Sequence, residues 1–380
     1  MTDHAAFMRR ALELAERARG FTAPNPCVGA VLVQGGRIVA EGWHKVCGGP
    51  HAEREAIADA RAKGVDTAGC DMYVTLEPCN HHGRTPPCTE GILEAGIRRV
   101  FVGCEDFNPT VPGRGAEYLF SKGVQVETGI LEQECLDAIA DFKLWKTKGR
   151  AWCTLKLATT LDGRIGGPTG KPESVSGPES HRRVQFLRAR SDAVLIGGGT
   201  LRADDPRLTC RLQPEGNAQV KRPLAIVATR KLTGISASFY LLRERPSELI
   251  FWTTDEAARS DTADRLVDMG CRVWGLPEHA TGGLDLAAGL TRFMREGIGH
   301  YVLCEGGGHM AMSLALQAAA DELKIFLAPR ALGDERAPAS FAGRSVDSVT
   351  EAIEWRILRS EGSGRDLEIT MRPQGAQAGE

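Results

Sequence analysis

The strongest constraint on this chain is its alternation of strand-like and helix-like segments, which runs twice. Short apolar runs alternate with stretches whose apolar residues recur at the 3.6-residue helical period. The first run opens with a helical face of Phe7, Ala11, Leu14, Ala15 and Ala18, closed by Gly20. NPCVGAVLVQGGRIVAEGW (25–43) then predicts a strand, a Gly-Gly turn and a second strand. HAEREAIADARAKG (51–64) reads as a helix, MYVTL (72–76) as a strand, TEGILEAG (89–96) as a helix and RRVFVGCED (98–106) as a strand. A further helix (116–123), a strand (124–130) and an amphipathic helix to about Lys146 complete the run. A hairpin followed by strand–helix units predicts one α/β domain with a mixed sheet.

After the polar turn KTKGR (146–150) the alternation restarts, with strands expected in 151–165, 192–200, 222–230, 248–254, 271–276, 300–308 and 322–329. A glycine turn is expected within LIGGGTLRADDPRLT (195–209), and a surface loop over 211–221. The chain thus reads as a domain over 1–147, a second α/β domain over 148–368 and a frayed tail over 369–380.

Composition narrows the function classes. Net charge is -2 and the charges are interspersed, which argues against a general nucleic-acid binder. No stretch approaches the ~20 apolar residues of a spanning helix, and the N-terminus carries no signal-peptide pattern. Eleven scattered cysteines, an odd number, fit reduced thiols in a cytoplasmic protein better than a disulfide framework. Cys153, Cys271 and Cys304 sit in strand-like runs and read as core residues.

Three other residues suggest a metal site. In CGGPHAERE (47–55), His51 and Glu53 are two apart and cannot share the face of a regular helix. They can converge if His51 sits at the helix start, where Gly48, Gly49 and Pro50 permit an unusual entry. Cys79 leaves a strand in LEPC, and Cys88 directly precedes a helix, whose dipole favours a thiolate. One histidine and two cysteines make three ligands, the open zinc pattern that leaves a position for water. Glu53, a non-ligand carboxylate beside them, is suited to moving protons. Each residue alone would more often be structural; their joint occurrence points to zinc deaminase chemistry, although that pattern has two residues between the cysteines and this chain has eight.

PNPCVGAVLV, GWHKVCGGPHAE, YVTLEPCNHHGRTPPC and KLATTLDGRI together resemble the bacterial bifunctional deaminase/reductase family of riboflavin biosynthesis, in both domains and in order. The long spacing between Cys79 and Cys88 is the most specific part of the likeness. The resemblance implies a cytidine-deaminase-like three-layer α/β/α domain followed by a dihydrofolate-reductase-like α/β domain. It implies zinc on His51, Cys79 and Cys88, with Glu53 as proton shuttle. The implied substrate is a diaminopyrimidinone carrying a ribosylamino 5′-phosphate, with Asn25 and His44 lining the pyrimidine pocket and His81, His82 and Arg84 serving the ribose phosphate.

For the second domain the family implies NADPH reduction of the ribosyl group to ribityl. Lys156 and Glu305 would stand near the reacting sugar, and Ser176, Arg188, Leu208, Arg211 and Glu305 would bind substrate. Arg188 and Arg211 suit a phosphate, being planar and permanently charged. Ala158, Ser174, Thr200, Asp204, Gly306, Gly307, Gly308, His309 and Met310 would face NADPH. Assembly into a homo-oligomer is also expected. The chain departs from the family in the loop GKPESVSGPES (170–180), which lacks the usual tryptophan, and at Phe107, where a proline is usual.

Two other readings compete. In one, the zinc deaminase acts on a base in nucleic acid and the second domain only binds; the charge balance speaks against it. In the other, the zinc is structural, with His81 or His82 closing the tetrahedron.

Overall fold

The computed structural model describes residues 3–82, 86–107, 114–170, 173–212 and 220–374. Two compact units divide the chain, Met1–Lys148 and Gly149–Glu380.

The first unit contains α1 (His4–Arg17), β1 (Gly29–Gln34), β2 (Arg37–Trp43), α2 (Ala52–Ala62), β3 (Asp71–Leu76), α3 (Cys88–Glu94), β4 (Arg99–Cys104), α4 (Gly115–Ser121), β5 (Gln125–Thr128), α5 (Glu132–Ala138) and α6 (Ala140–Lys148). Its sheet order is β2-β1-β3-β4-β5. β1 runs antiparallel to β2 and β3, whereas β3, β4 and β5 are parallel, so the sheet is mixed.

Two glycines show how the layers form. A Cβ on Gly29 would lie 2.0 Å from the Ala11 carbonyl oxygen of α1, and one on Gly42 would lie 2.2 Å from the Ala56 nitrogen of α2. Gly42 pairs with Ala30, the neighbour of Gly29, so the two glycines point to opposite faces of the sheet. Helices α1 and α2 therefore cover opposite faces at close range, giving three layers. Ala30, Leu32, Val74, Val100 and Val102 meet Ala56, Ile57, Ile92 and Leu119 on the α2 side.

The second unit contains β6 (Trp152–Thr159), α7 (Pro178–Arg190), β7 (Ala193–Gly197), α8 (Gly198–Asp204), β8 (Leu224–Ala228), α9 (Tyr240–Glu244), β9 (Leu249–Thr254), α10 (Asp261–Asp268), β10 (Arg272–Leu276), α11 (Leu286–Arg295), β11 (Tyr301–Cys304), α12 (Gly308–Leu316), β12 (Glu322–Leu327), β13 (Trp355–Ser363) and β14 (Asp366–Pro373). The strands form one sheet in the order β10-β9-β8-β7-β11-β6-β12-β14-β13. It is parallel from β10 to β12 and closes with an antiparallel hairpin. Central strands such as β7 and β9 are buried on both faces, which is why they read as continuous apolar runs. Cys153, Cys271 and Cys304 are buried in this unit, as their strand-like settings predict.

The structure corrects three expectations. The expected tail from 369 is too long, because β14 continues to Pro373 and pairs with both β12 and β13. The glycine run of the turn expected within 195–209 is instead the start of helix α8. There, a Cβ on Gly198 would fall 2.6 Å from Thr229 Oγ1, so this glycine serves close packing rather than a turn. Finally, the helix expected to reach Lys146 breaks at Ile139 into α5 and α6. Arg19 stabilises the break, donating to the Ala138 carbonyl and to the buried Asp141 carboxylate. The expected loop over 211–221 lies mostly outside the described residues.

Candidate active sites

In the first unit, His51 is the extended residue immediately before α2 (φ -75°, ψ 165°). Its departure from helical geometry lets it face the same region as Glu53. Cys88 is the first residue of α3 and its backbone N–H points at Cys79, 3.4 Å from Sγ. His51 Nδ1 lies 3.5 Å from Cys79 Sγ and 3.3 Å from Cys88 Sγ. These three donor atoms lie within 4.8 Å of one another, and neither His81 nor His82 joins the cluster.

That donor set fits zinc with an open position, and among the described residues it offers no fourth ligand to close a structural site. Hydrogen bonds from Cys88 and His51 hold the Cys79 thiol down to about 4. The shared hydrogen bond with Cys79, aided by burial, keeps the Cys88 proton in place. Displacing that last proton is the ordinary cost of loading a metal on thiols.

A cavity of about 430 Å³ opens beside the cluster, with Asn25, His44, His51, Glu53, Cys79 and His81 on its walls. Glu53 is 2% exposed, and its Oε2 has no hydrogen-bond partner. Burial, reinforced by the Cys79 charge, pushes its carboxyl up to about 7. His44 is equally buried. Its Nδ1 donates to the Pro50 carbonyl at 2.9 Å, which leaves Nε2 to accept from Asn25 Nδ2 at 3.1 Å. Burial lowers the His44 pKa, keeping the ring neutral and that bond intact.

The loop residues expected to serve the phosphate separate here. His81 lines the cavity with an unpartnered buried Nδ1, His82 is exposed and lies off the cavity walls, and Arg84 falls outside the described residues. The residue-level reading did not assign Cys47, Glu77, Asp106, Phe142 or Lys146, which also line the cavity. Glu77 accepts from the Asp106 and Ala116 backbone amides at 3.3 and 3.0 Å. Its place in LEPC was the available signal. Phe142 and Lys146 arrive on α6, far from any motif.

In the second unit, Glu305 follows β11 and its side chain is 10% exposed. Arg188 Nε and Nη2 donate to its two oxygens at 2.6 and 3.0 Å, and Lys156 Nζ of β6 lies 3.6 Å away. Burial raises the Glu305 carboxyl, but the Lys156 and Arg188 charges outweigh it and hold it below the usual glutamate range. The remaining Arg188 nitrogen, Nη1, donates to the Thr209 carbonyl at 2.9 Å. The fork expected to hold a phosphate is therefore turned on Glu305 and Thr209, while Arg211 stays exposed. Leu208, beside Thr209, is buried with φ 51°, a left-handed conformation costly for leucine.

The expected cofactor residues gather at the carboxyl ends of three neighbouring strands, β7, β11 and β6. Thr200 and Asp204 lie on α8 after β7, Gly306–Met310 follow β11, and Ala158 lies on β6. The chain leaves β7 toward β8 on one side of the sheet and leaves β11 toward β12 on the other. That reversal is where parallel sheets open a ligand crevice. Gly199 has nothing within 4 Å of where a Cβ would stand, and Gly307 only Ile165 Cδ1 at 3.8 Å, so both leave room for a group such as NADPH. Ser174 and Ser176 lie in a loop tied down by Asp366, whose Oδ2 accepts from Gly177 N and Ser180 Oγ, each at 2.6 Å. Ser176 is itself buried, and Ser174 Oγ bonds His181 Nε2 at 2.7 Å.

Comparison with known proteins covers both units. A profile described as "Cytidine and deoxycytidylate deaminase zinc-binding region" matches residues 1–104, and one described as "RibD C-terminal domain" matches 151–369. The riboflavin biosynthesis protein RibD of Aquifex aeolicus is 36% identical over 364 residues, 96% of either chain. The Escherichia coli protein of the same name is 34% identical, covering 95% of this chain and 97% of its own. A crystal structure from Thermotoga maritima, described as a diaminohydroxyphosphoribosylaminopyrimidine deaminase/5-amino-6-(5-phosphoribosylamino)uracil reductase, superposes with a TM-score of 0.76 at 34% identity. It covers 98% of this chain and 99% of its own.

Proposed function

The chain belongs to the RibD family of riboflavin biosynthesis proteins, and from that premise we propose how its two units divide a deamination and a reduction. The first unit, residues 1–147, removes the exocyclic amine of a diaminopyrimidinone carrying a ribosylamino 5′-phosphate. The second, from 148 onward, reduces the ribosyl group of the product to ribityl. One observation carries the reading: a three-donor metal cluster and a buried glutamate with an unpartnered oxygen share one cavity.

His51, Cys79 and Cys88 would hold zinc, which when bound supplies the Lewis acidity that lets water ionise near neutral pH. Glu53 takes up at Oε2 the proton that water gives up and passes it to the exocyclic nitrogen; the water oxygen bonds the ring carbon as the C–N bond breaks and ammonia leaves. Asn25, with one amide hydrogen spent on His44, offers the other and its carbonyl oxygen to the pyrimidine edge. His81 adds a polar group beside the ribose.

In the second unit NADPH supplies the hydride when bound, and the protein supplies orientation and charge. Glu305 fixes the Lys156 ammonium and the Arg188 guanidinium where the sugar would lie. Ala158, Thr200, Asp204 and residues 306–310 would line the cofactor crevice. Arg211, being exposed, remains the better candidate for the substrate phosphate. All eleven cysteines are free, in keeping with a reducing cytoplasm, and no described helix is long and apolar enough to cross a membrane.

The test is zinc-loaded protein with the pyrimidine ribotide, following ammonia and NADPH oxidation separately. Ammonia release followed by ribotide-dependent NADPH oxidation is expected. Ammonia from a tRNA or DNA oligomer, with none from the ribotide, would overturn the substrate assignment. Ammonia without NADPH oxidation would confine activity to the first unit.

A further inference from the structure

The profile for the general deaminase zinc-binding region ends at residue 104, yet the cavity wall continues past it. Asp106, Phe142 and Lys146 complete the wall, the last two from α6. The part of the cavity nearest the metal cluster thus comes from the general region, and another part from a segment beyond it. A segment outside the general region is where selectivity for a particular pyrimidine can be built.

Charge identifies what that segment contributes. The described lining carries three carboxylates, Glu53, Glu77 and Asp106, and one Lys or Arg, which is Lys146. A substrate with a 5′-phosphate must bring further negative charge to this cavity. Lys146 stands exposed, its Nζ over the Phe142 ring at 5.5 Å from the centroid. The ring face holds one side of the ammonium while its exposed side remains hydrated and able to meet an anion.

We propose that Lys146 is a specificity-determining residue of the deaminase cavity, taking the phosphate end of the ribotide over the Phe142 face. This rests on the ribotide reading above. A charge-assisted contact with phosphate is worth about a tenfold change in affinity or more. The bland alternative is that Lys146 merely complements the C-terminal end of α6, as last-turn lysines do. That role would affect thermal stability and leave substrate preference alone.

The experiment compares zinc-loaded wild type, Lys146→Ala and Lys146→Arg by ammonia release from the ribotide and from its dephosphorylated nucleoside. The expected result is that the wild-type preference for the ribotide in kcat/KM narrows about tenfold in Lys146→Ala, through KM rather than kcat. Lys146→Arg should restore most of it. A preference ratio equal to wild type in Lys146→Ala overturns the proposal, as does an equal loss on both substrates. Wild-type protein that releases no ammonia from the ribotide would instead sink the functional reading, and this proposal with it.

Discussion

Each unit buries one glutamate beside its candidate site, and the two are held in opposite ways. Glu53 has an oxygen with no hydrogen-bond partner, and burial drives its carboxyl up to about 7. Glu305 is gripped by a two-pronged Arg188 contact and by Lys156, and is held below the usual range. Burial by itself therefore does not set a carboxylate's role; the neighbouring cations do. A carboxylate poised near neutrality can take and give a proton, whereas one locked as an anion can only position positive charge.

The largest stability effect expected from this comparison comes from removing the Glu305 charge. Glu305→Gln strands two nearly buried cations, Lys156 and Arg188, whose side chains are 16% and 14% exposed. The loss should be about 3 kcal/mol, read by urea unfolding of the full chain through Trp152, Trp252 and Trp274. Unchanged unfolding would show that the contact is not a structural clamp.

A smaller effect concerns acid. Because the folded pKa of Glu305 lies below its ordinary value of 4.5, its contribution is fully present above that value. It is lost as pH falls through the lowered folded value. Wild-type protein should therefore shed stability on acidification below about pH 4.5, and Glu305→Gln should flatten that part of the profile. Identical acid profiles for the two proteins would contradict the pairing.

How much of this was legible in the sequence differs between the units for a physical reason. The donor cluster is written in short local patterns, PHAE and LEPC, each tied to the end of one element, so the meeting of His51, Glu53 and Cys79 could be expected from residues alone. The Arg188–Glu305 contact joins residues 117 positions apart, and no local pattern foretells it. The same holds for Lys146, brought to the cavity by a helix that belongs to no motif. The terminal hairpin was missed because its alternation misleads. In DLEITMRP, Leu367, Ile369 and Met371 look like the inner face, yet Asp366, Glu368 and Thr370 are the buried set. They are buried because they have partners: Ser180 for Asp366, Arg183 for Glu368 and Lys324 for Thr370. The glycine run after β7 misled differently, since glycine marks close packing as readily as a turn.

The central claim, that the glutamate with an unpartnered oxygen moves a proton in one unit while the cation-paired one holds charge in the other, is tested most directly by a crossed assay. Zinc-loaded Glu53→Gln and Glu305→Gln are each given the ribotide, with ammonia as readout, and separately the deaminated intermediate, with NADPH oxidation as readout. Glu53→Gln should lose about a hundredfold or more in ammonia release while retaining its zinc and its NADPH oxidation. Glu305→Gln should show the reverse. Ammonia release at the wild-type rate from Glu53→Gln with its metal bound would contradict the account.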